Sequence, residues 1–241
     1  MPNVSFRSSS SVANQSAATF SVSKPAGVVD TDLLLAFQET AMGLGGTAPA
    51  APSGWTLLTR QTYSLSSNDL VVWWKRASGE GASWTFNNAT GGMSPVSCAN
   101  VIALQDAFTQ PEGSAKAGSD SFGAGPVDAG SYTTLEANEI IVTGWALGTN
   151  VGGTLTPHAS YTALSQVDGG GGGQLRCGYK AAAAAGSVTN NTATIGGGNA
   201  NWGAILVAVA SAAAAASGAT GWAARRRRSM IPRLLHRMPC Q

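Results

Sequence analysis

Hydrophobic residues along this chain come in short runs rather than at helical spacing. Leu33–Phe37, Trp55–Leu58, Leu70–Trp74, Ser83–Phe86 and Val101–Leu104 are each rich in branched or aromatic side chains, and clusters of Gly, Pro, Ser and Asn separate them. Runs of this length bounded by turn formers predict β-strands, and strands at such spacing predict a sandwich or barrel. No stretch before residue 204 keeps a helical period with caps at its ends. The polyalanine Ala181–Ala185 favours helix by propensity, yet it lies where a strand-to-strand turn is expected and stops at Gly186. The fold class expected is all-β, an antiparallel β-sandwich of jelly-roll-like kind.

The same order of strand and turn residues occurs twice. Asp32-Leu-Leu-Leu-Ala-Phe37 matches Glu139-Ile-Ile-Val-Thr-Gly144, the Pro52–Leu57 turn and strand match Pro157–Leu164, and Trp74-Lys75 matches Tyr179-Lys180. Ser83–Asn88 aligns with Ser187–Asn191, and Val101–Leu104 with Ala204–Val207. This period is far longer than the roughly 20 to 50 residues of a solenoid repeat and fits two related β-halves. The halves are expected at about 15–109 and 131–210, with 110–130, rich in Gly, Ser, Ala and Pro, as a linker. They are either two sheets of one sandwich or two domains in tandem. Neither half alone has many large apolar residues, which favours one unit over 1–210 with a shared core.

Charge is sparse and unevenly placed. Charged residues make up 11% of the chain, less than half of the roughly 25% of a typical soluble domain. Residues 222–241 contain Arg225, Arg226, Arg227, Arg228, Arg233 and Arg237 and no acid, so a net charge of +2 for the whole chain leaves the preceding body at −4. A block of like charge at one terminus reads as an interaction arm, since it cannot fold on itself without an acidic or phosphate-bearing partner. Residues 211–241 are accordingly expected to be an Ala-rich linker followed by that arm. The run Ala204–Ala224 before the arginines is weighed as a membrane anchor, but Ala, Ser, Gly and Thr dominate it and contribute little to insertion. A last strand, Trp202–Val209, is the preferred reading. The start of the chain lacks the apolar core of a secretory signal.

The residues quoted above carry a resemblance. Lys24–Phe37, Pro52–Leu58, Val72–Lys75, Ser83–Phe86 and the closing Trp202-Gly-Ala-Ile-Leu-Val207 resemble a β-sandwich family widespread among bacteriophage and prophage virion proteins, over roughly residues 15–210. The resemblance implies a structural role in the particle, surface-displayed or tail-associated, after synthesis in a host cytoplasm. It implies other virion proteins, major capsid or tail proteins, as partners, and by analogy with many virion surface proteins a homo-oligomer, with a trimer favoured. The arginine arm is not part of the family pattern.

Candidate chemistry is thin. There is no Gly-x-Ser-x-Gly elbow, no His-Glu-x-x-His and no phosphate loop, and His158 is the one histidine outside the tail. The reading is non-enzymatic, with no cofactor and no metal. Asp30 and Asp32, with Glu39 the next acid, supply too few oxygens for calcium and read as turn residues. Gly169–Gly173 is too uniform for a phosphate cradle and reads as a loop. Cys98, Cys177 and Cys240 are too few and too scattered for a disulfide framework and read as free thiols, two of them inside strands. Trp55, Trp73, Trp74, Trp84, Trp145 and Trp202 read as core or subunit-interface residues. Adjacent residues on a strand point to opposite faces, so one of Trp73 and Trp74 is expected outward, and this pair is the candidate glycan contact. Two function classes follow: a decoration or cement protein held by the six arginines, or a tail or tail-fibre module that binds host glycans. Nucleic acid is an unfavoured partner, because six arginines beside an acidic body make a poor DNA reader.

Overall fold

A computed structural model describes residues 3–42, 46–63, 68–91, 96–107, 110–111, 117–123, 126–148, 153–168, 173–196 and 200–211. Among them there is no helix. The first half contains β1 (Ser5–Gln15), β2 (Thr19–Ser23), β3 (Leu33–Ala41), β4 (Thr56–Tyr63), β5 (Asn68–Arg76), β6 (Ser83–Asn87) and β7 (Val96–Gln105). The second contains β8 (Ala117–Gly123), β9 (Val127–Asp128), β10 (Tyr132–Thr134), β11 (Glu139–Leu147) and β12 (Thr154–Pro157). It continues with β13 (Thr162–Asp168), β14 (Gln174–Ala182), β15 (Gly186–Val188), β16 (Thr192–Gly196) and β17 (Ala200–Val209).

Each half builds one five-stranded sheet, ordered β1-β7-β3-β5-β4 in the first and β13-β14-β11-β17-β8 in the second. Read from opposite ends these are the same sheet: β8, β17, β11, β14 and β13 stand where β1, β7, β3, β5 and β4 do. All named pairings are antiparallel. The smaller sheets repeat as well, β2-β6 in the first half and β12-β16-β9 in the second, with β10-β15 added. The all-β sandwich of two similar halves expected from the sequence is therefore present in strand order and not only in motif.

Strand parity shows how the layers stack. Leu33, Leu35 and Phe37 of β3 share a core with Ile140, Val142 and Ala146 of β11 and Ile205, Val207 and Val209 of β17, so the two large sheets pack face to face. The alternate residues Leu34 and Ala36 face the other way, onto Phe20 and Val22 of β2 and Trp84 and Phe86 of β6. In the second half Ile141, Trp145 and Leu147 face Val127, Leu155 and Ala193 in the same manner. The inner strands of each large sheet are thus covered on both faces, which is why they read as near-continuous apolar runs instead of alternating.

Three sequence boundaries shift. β1 begins ten residues before the expected start of the first half and pairs with β7 along its length. Its serines hid it, and two of them are used structurally: Ser8 Oγ donates to Ala26 O at 2.6 Å and Ser10 Oγ to Ser23 O at 2.5 Å. The expected linker 110–130 contains β8 and β9, which complete the second half. Ala181 and Ala182 finish β14 and the remaining alanines turn, so helix propensity yields to the ladder with β11.

The two halves differ in bulk where they meet. By ladder register Phe37 and Gly144 are equivalent positions, and a Cβ on Gly144 would enter the space of the Phe37 ring. That ring is fully buried and cannot swing away. Gly144→Ala is expected to destabilise the protein by about 1–3 kcal/mol through overpacking, and Phe37→Leu in the same chain is expected to return part of the loss. Urea unfolding of both variants and the double variant checks this; an equal loss in the Phe37→Leu background would show that the ring is not the obstruction.

Candidate functional site

The six arginines Arg225, Arg226, Arg227, Arg228, Arg233 and Arg237 lie outside the described residues, as do Cys240 and Gly169–Gly172. The described chain ends at Ser211, bridged to Ala107. Trp73 and Trp74 are placed. Trp73 is 3% exposed in the outer core of the first half, and its Nε1 donates to Gln38 Oε1 at 3.2 Å. Trp74 is half-buried against the central core. The parity rule puts them on opposite faces as expected, Trp73 buried and Trp74 partly accessible.

A different pair of sites emerges at the same position in each half. In the first, the turn Pro52–Trp55 closes with Trp55 N donating to Pro52 O at 3.1 Å, and Lys75 Nζ lies 5.9 Å from the Trp55 ring centre. Glu80 neutralises the lysine at 2.7 Å and also accepts Trp84 Nε1 at 2.6 Å and Ser78 N at 3.0 Å. Burial works to raise the Glu80 carboxyl, but these donors outweigh it and hold it below its ordinary range. Trp55 and Trp84 meet edge to face at 5.5 Å. In the second half Tyr161 N donates to His158 O at 2.9 Å, forming the corresponding turn, and Lys180 Nζ lies 4.5 Å from the Tyr161 ring centre. His158 supports its own turn by accepting Ser160 N at 3.1 Å. Lys180 donates to Thr189 O at 2.7 Å, and among the described residues no acid pairs with it.

One ionisable cluster lies inside the central core. Glu39 is fully buried; Tyr63 Oη donates to its Oε1 at 3.0 Å, Asn68 Nδ2 to the same oxygen at 2.9 Å, and Cys98 Sγ is 3.9 Å from Oε2. The second half makes room with glycines. A Cβ on Gly173 would collide with the Glu39 carboxyl, and one on Gly148 or Gly203 would sit 2.9 or 2.7 Å from the Tyr63 ring. Burial drives the Glu39 carboxyl up to about 8 from 4.5, against the pull of Asn68 and Tyr63 and with some help from Asp69. Asp69 has its own partner, Arg60, at 2.6 Å. Sequence reading passed over Glu39 as a distant calcium ligand. Its parity with Leu33, Leu35 and Phe37 was the signal that it points inward.

Elsewhere the carboxylates support the chain itself. Asp32 pairs with Arg7 at 2.7 Å and accepts Val29 N at 3.0 Å, and Asp30 accepts Gly79 N at 2.7 Å. Among the described residues no group of three or more His, Cys, Asp or Glu could hold a metal ion. Cys98 and Cys177 are free and buried in strands. The outer faces of the small sheets are uncharged over most of their area. Thr19, Ser21, Ser23, Ser83 and Thr85 are exposed on β2-β6, and Thr154, Thr156 and Thr194 on β12-β16. Comparison with protein-family models, with curated proteins and with solved structures finds no match to the chain.

Glu39 gives the fold a pH dependence with a definite sign. Between pH 4.5 and about 8 the unfolded chain has Glu39 ionised while the folded chain keeps the proton. Folding therefore takes up a proton in this window, and stability falls as pH rises, by at most about 1.4 kcal/mol per pH unit, levelling off above the folded value. Glu39→Gln keeps an acceptor for Tyr63 and Asn68 and is expected to flatten that slope. Urea midpoints measured across the window test this; an unchanged slope would assign the dependence to another group.

Proposed function

We propose that the chain is a non-enzymatic structural protein of a bacteriophage particle. It would be a capsid decoration or cement subunit that docks on the shell of major capsid proteins and stabilises it, with Arg225, Arg226, Arg227, Arg228, Arg233 and Arg237 as the anchor. The observation that carries this reading is the division of charge between body and arm. The outer sheets offer threonine and serine in place of charge, while the basic charge gathers in residues 222–241. Small hydroxyl side chains lose little rotamer freedom when covered and suit wide contact with other subunits, including like copies in a trimer. Arginine forks paired with carboxylates hold such a contact in place, and an arm tethered to a docked body binds at high effective concentration.

The glycan-binding alternative, a tail or tail-fibre module, would use exposed aromatics such as Trp73 or Trp74 and loops such as Ser165–Gln174, of which residues 169–172 lie outside the described ones. Trp73 is buried in the outer core and Trp74 packs partly against the central one, which supports the decoration reading over a paired aromatic platform. Deleting residues 222–241 is expected to leave the thermal midpoint of the sandwich unchanged. It is also expected to lower the copy number in purified particles by more than about tenfold, the equivalent of one or two charge-assisted contacts. Normal incorporation of the shortened chain would overturn the reading.

A further inference from the structure

The duplicated lysine corners are built alike and finished differently. Lys75 and Lys180 occupy the same ladder position, beside β3 and β11 respectively, and each rests on the aromatic ring of an equivalent turn. In the first half the loop after β5 returns Glu80 to the lysine. In the second half the loop after β14 consists of alanines ending at Gly186 and returns no acid. Lys180 is half-buried all the same, and loss of hydration alone lowers its ammonium to about 8 from 10.5. This is a cation partly stripped of water beside an aromatic face, donating to a backbone carbonyl and with no carboxylate paired to it among the described residues.

Its surroundings are those of a contact surface. Ala181, Ala183, Ala184 and Ala185 are exposed, and alanine loses no rotamer entropy when covered. Leu135 is 38% exposed beside them, in a loop tied to the turn by Thr134 Oγ, which donates to Ala184 O at 3.3 Å and accepts Gly186 N at 3.0 Å. The corner also lies at the end of the sandwich where the described chain stops. β11 starts with Glu139 opposite Ala182 on one side and Ile140 opposite Val209 on the other, two residues before Ser211. The arginine segment follows Ser211 in sequence. Its charge has the same sign as Lys180, so the chain's own arm is not the occupant.

We propose that Lys180, the Ala181–Ala185 turn and Leu135 form a docking surface for a carboxylate-bearing patch on a different protein subunit, which supplies the acid that Glu80 provides in the first half. This rests on the particle reading above and names the face of the body that meets the shell. An acidic subunit surface brings a carboxylate to Lys180 with apolar contact from the alanines and Leu135 around it. Nucleic acid is a poorer match, since one lysine among alanines gives it no row of cations to follow.

Competitive acylation of lysine amines, read by peptide mass spectrometry, tests this on the free chain and on purified particles, with Lys75 as internal reference. Lys180 is expected to lose at least about tenfold of its relative reactivity in particles, as a desolvated ion pair does. Zero-length carbodiimide coupling is expected to join it to an Asp or Glu of another virion protein. Lys180→Met keeps the stem over Tyr161 while removing the charge. It is expected to leave the melting temperature of the free chain unchanged and to lower copy number in particles. Coupling to a carboxylate of a second copy would overturn the assigned occupant. Equal reactivity of Lys180 in both states, with the chain present in particles, would overturn this inference alone. Absence of the chain from particles would overturn the particle reading and this surface with it.

Discussion

The inner strands of both large sheets must be dry on both sides, and most other features follow from that constraint. A two-layer sandwich asks each strand to be apolar at every second residue. Here β3, β7, β11 and β17 are buried at almost every position, so each sheet needs a second cover beyond its partner. The small sheets provide it. They are short, and their inward residues Phe20, Val22, Trp84 and Phe86 in the first half and Val127, Leu155 and Ala193 in the second close the outer cores. Charge is kept out of these covered faces, and the exposed faces of the small sheets hold threonine and serine in its place.

This architecture explains what the sequence made legible. Runs such as Leu33–Phe37 and Val101–Leu104 announce strands because both faces are apolar, and the repeated pairs Trp74-Lys75 and Tyr179-Lys180 announce the duplication because in each the ring packs on the central core while the lysine meets the ring of the equivalent turn, Trp55 or Tyr161. What escaped notice has equally physical causes. β1 is a polar edge strand whose serines bond to a neighbouring turn, so no apolar signal marks it. β8 and β9 sit in a stretch that reads as linker because Gly, Ser and Ala dominate it. Of Trp73 and Trp74, alternation separates the faces, but the depth of each ring depends on what the small sheet and the second half lay over it, which the local pattern does not encode.

The duplication has been put to unequal use. By ladder register Asn68 and Cys98 of the first half stand where Gly173 and Gly203 stand in the second, and Phe37 stands where Gly144 does. Bulk and polarity on one side meet glycine on the other, so the central core is a fit between unlike surfaces despite the common strand order. Glu39 belongs to this fit. It is held in the middle by Tyr63 and Asn68 and is accommodated by glycine backbone across the seam. A symmetric arrangement would place a second ring at Gly144 against Phe37; the divergence removes that clash.

Every ladder that joins an outermost strand to a large sheet contains a slip in register: β1 on β7, β4 on β5, β13 on β14 and β8 on β17. The four ladders inside the sheets run unbroken. Such irregularities bend the rim away from the straight line that another chain would need in order to add on as one more strand. However crowded this protein becomes with its own kind, it is steered away from open-ended ribbons and fibrils, and its associations are left to the broad flanks and the corners.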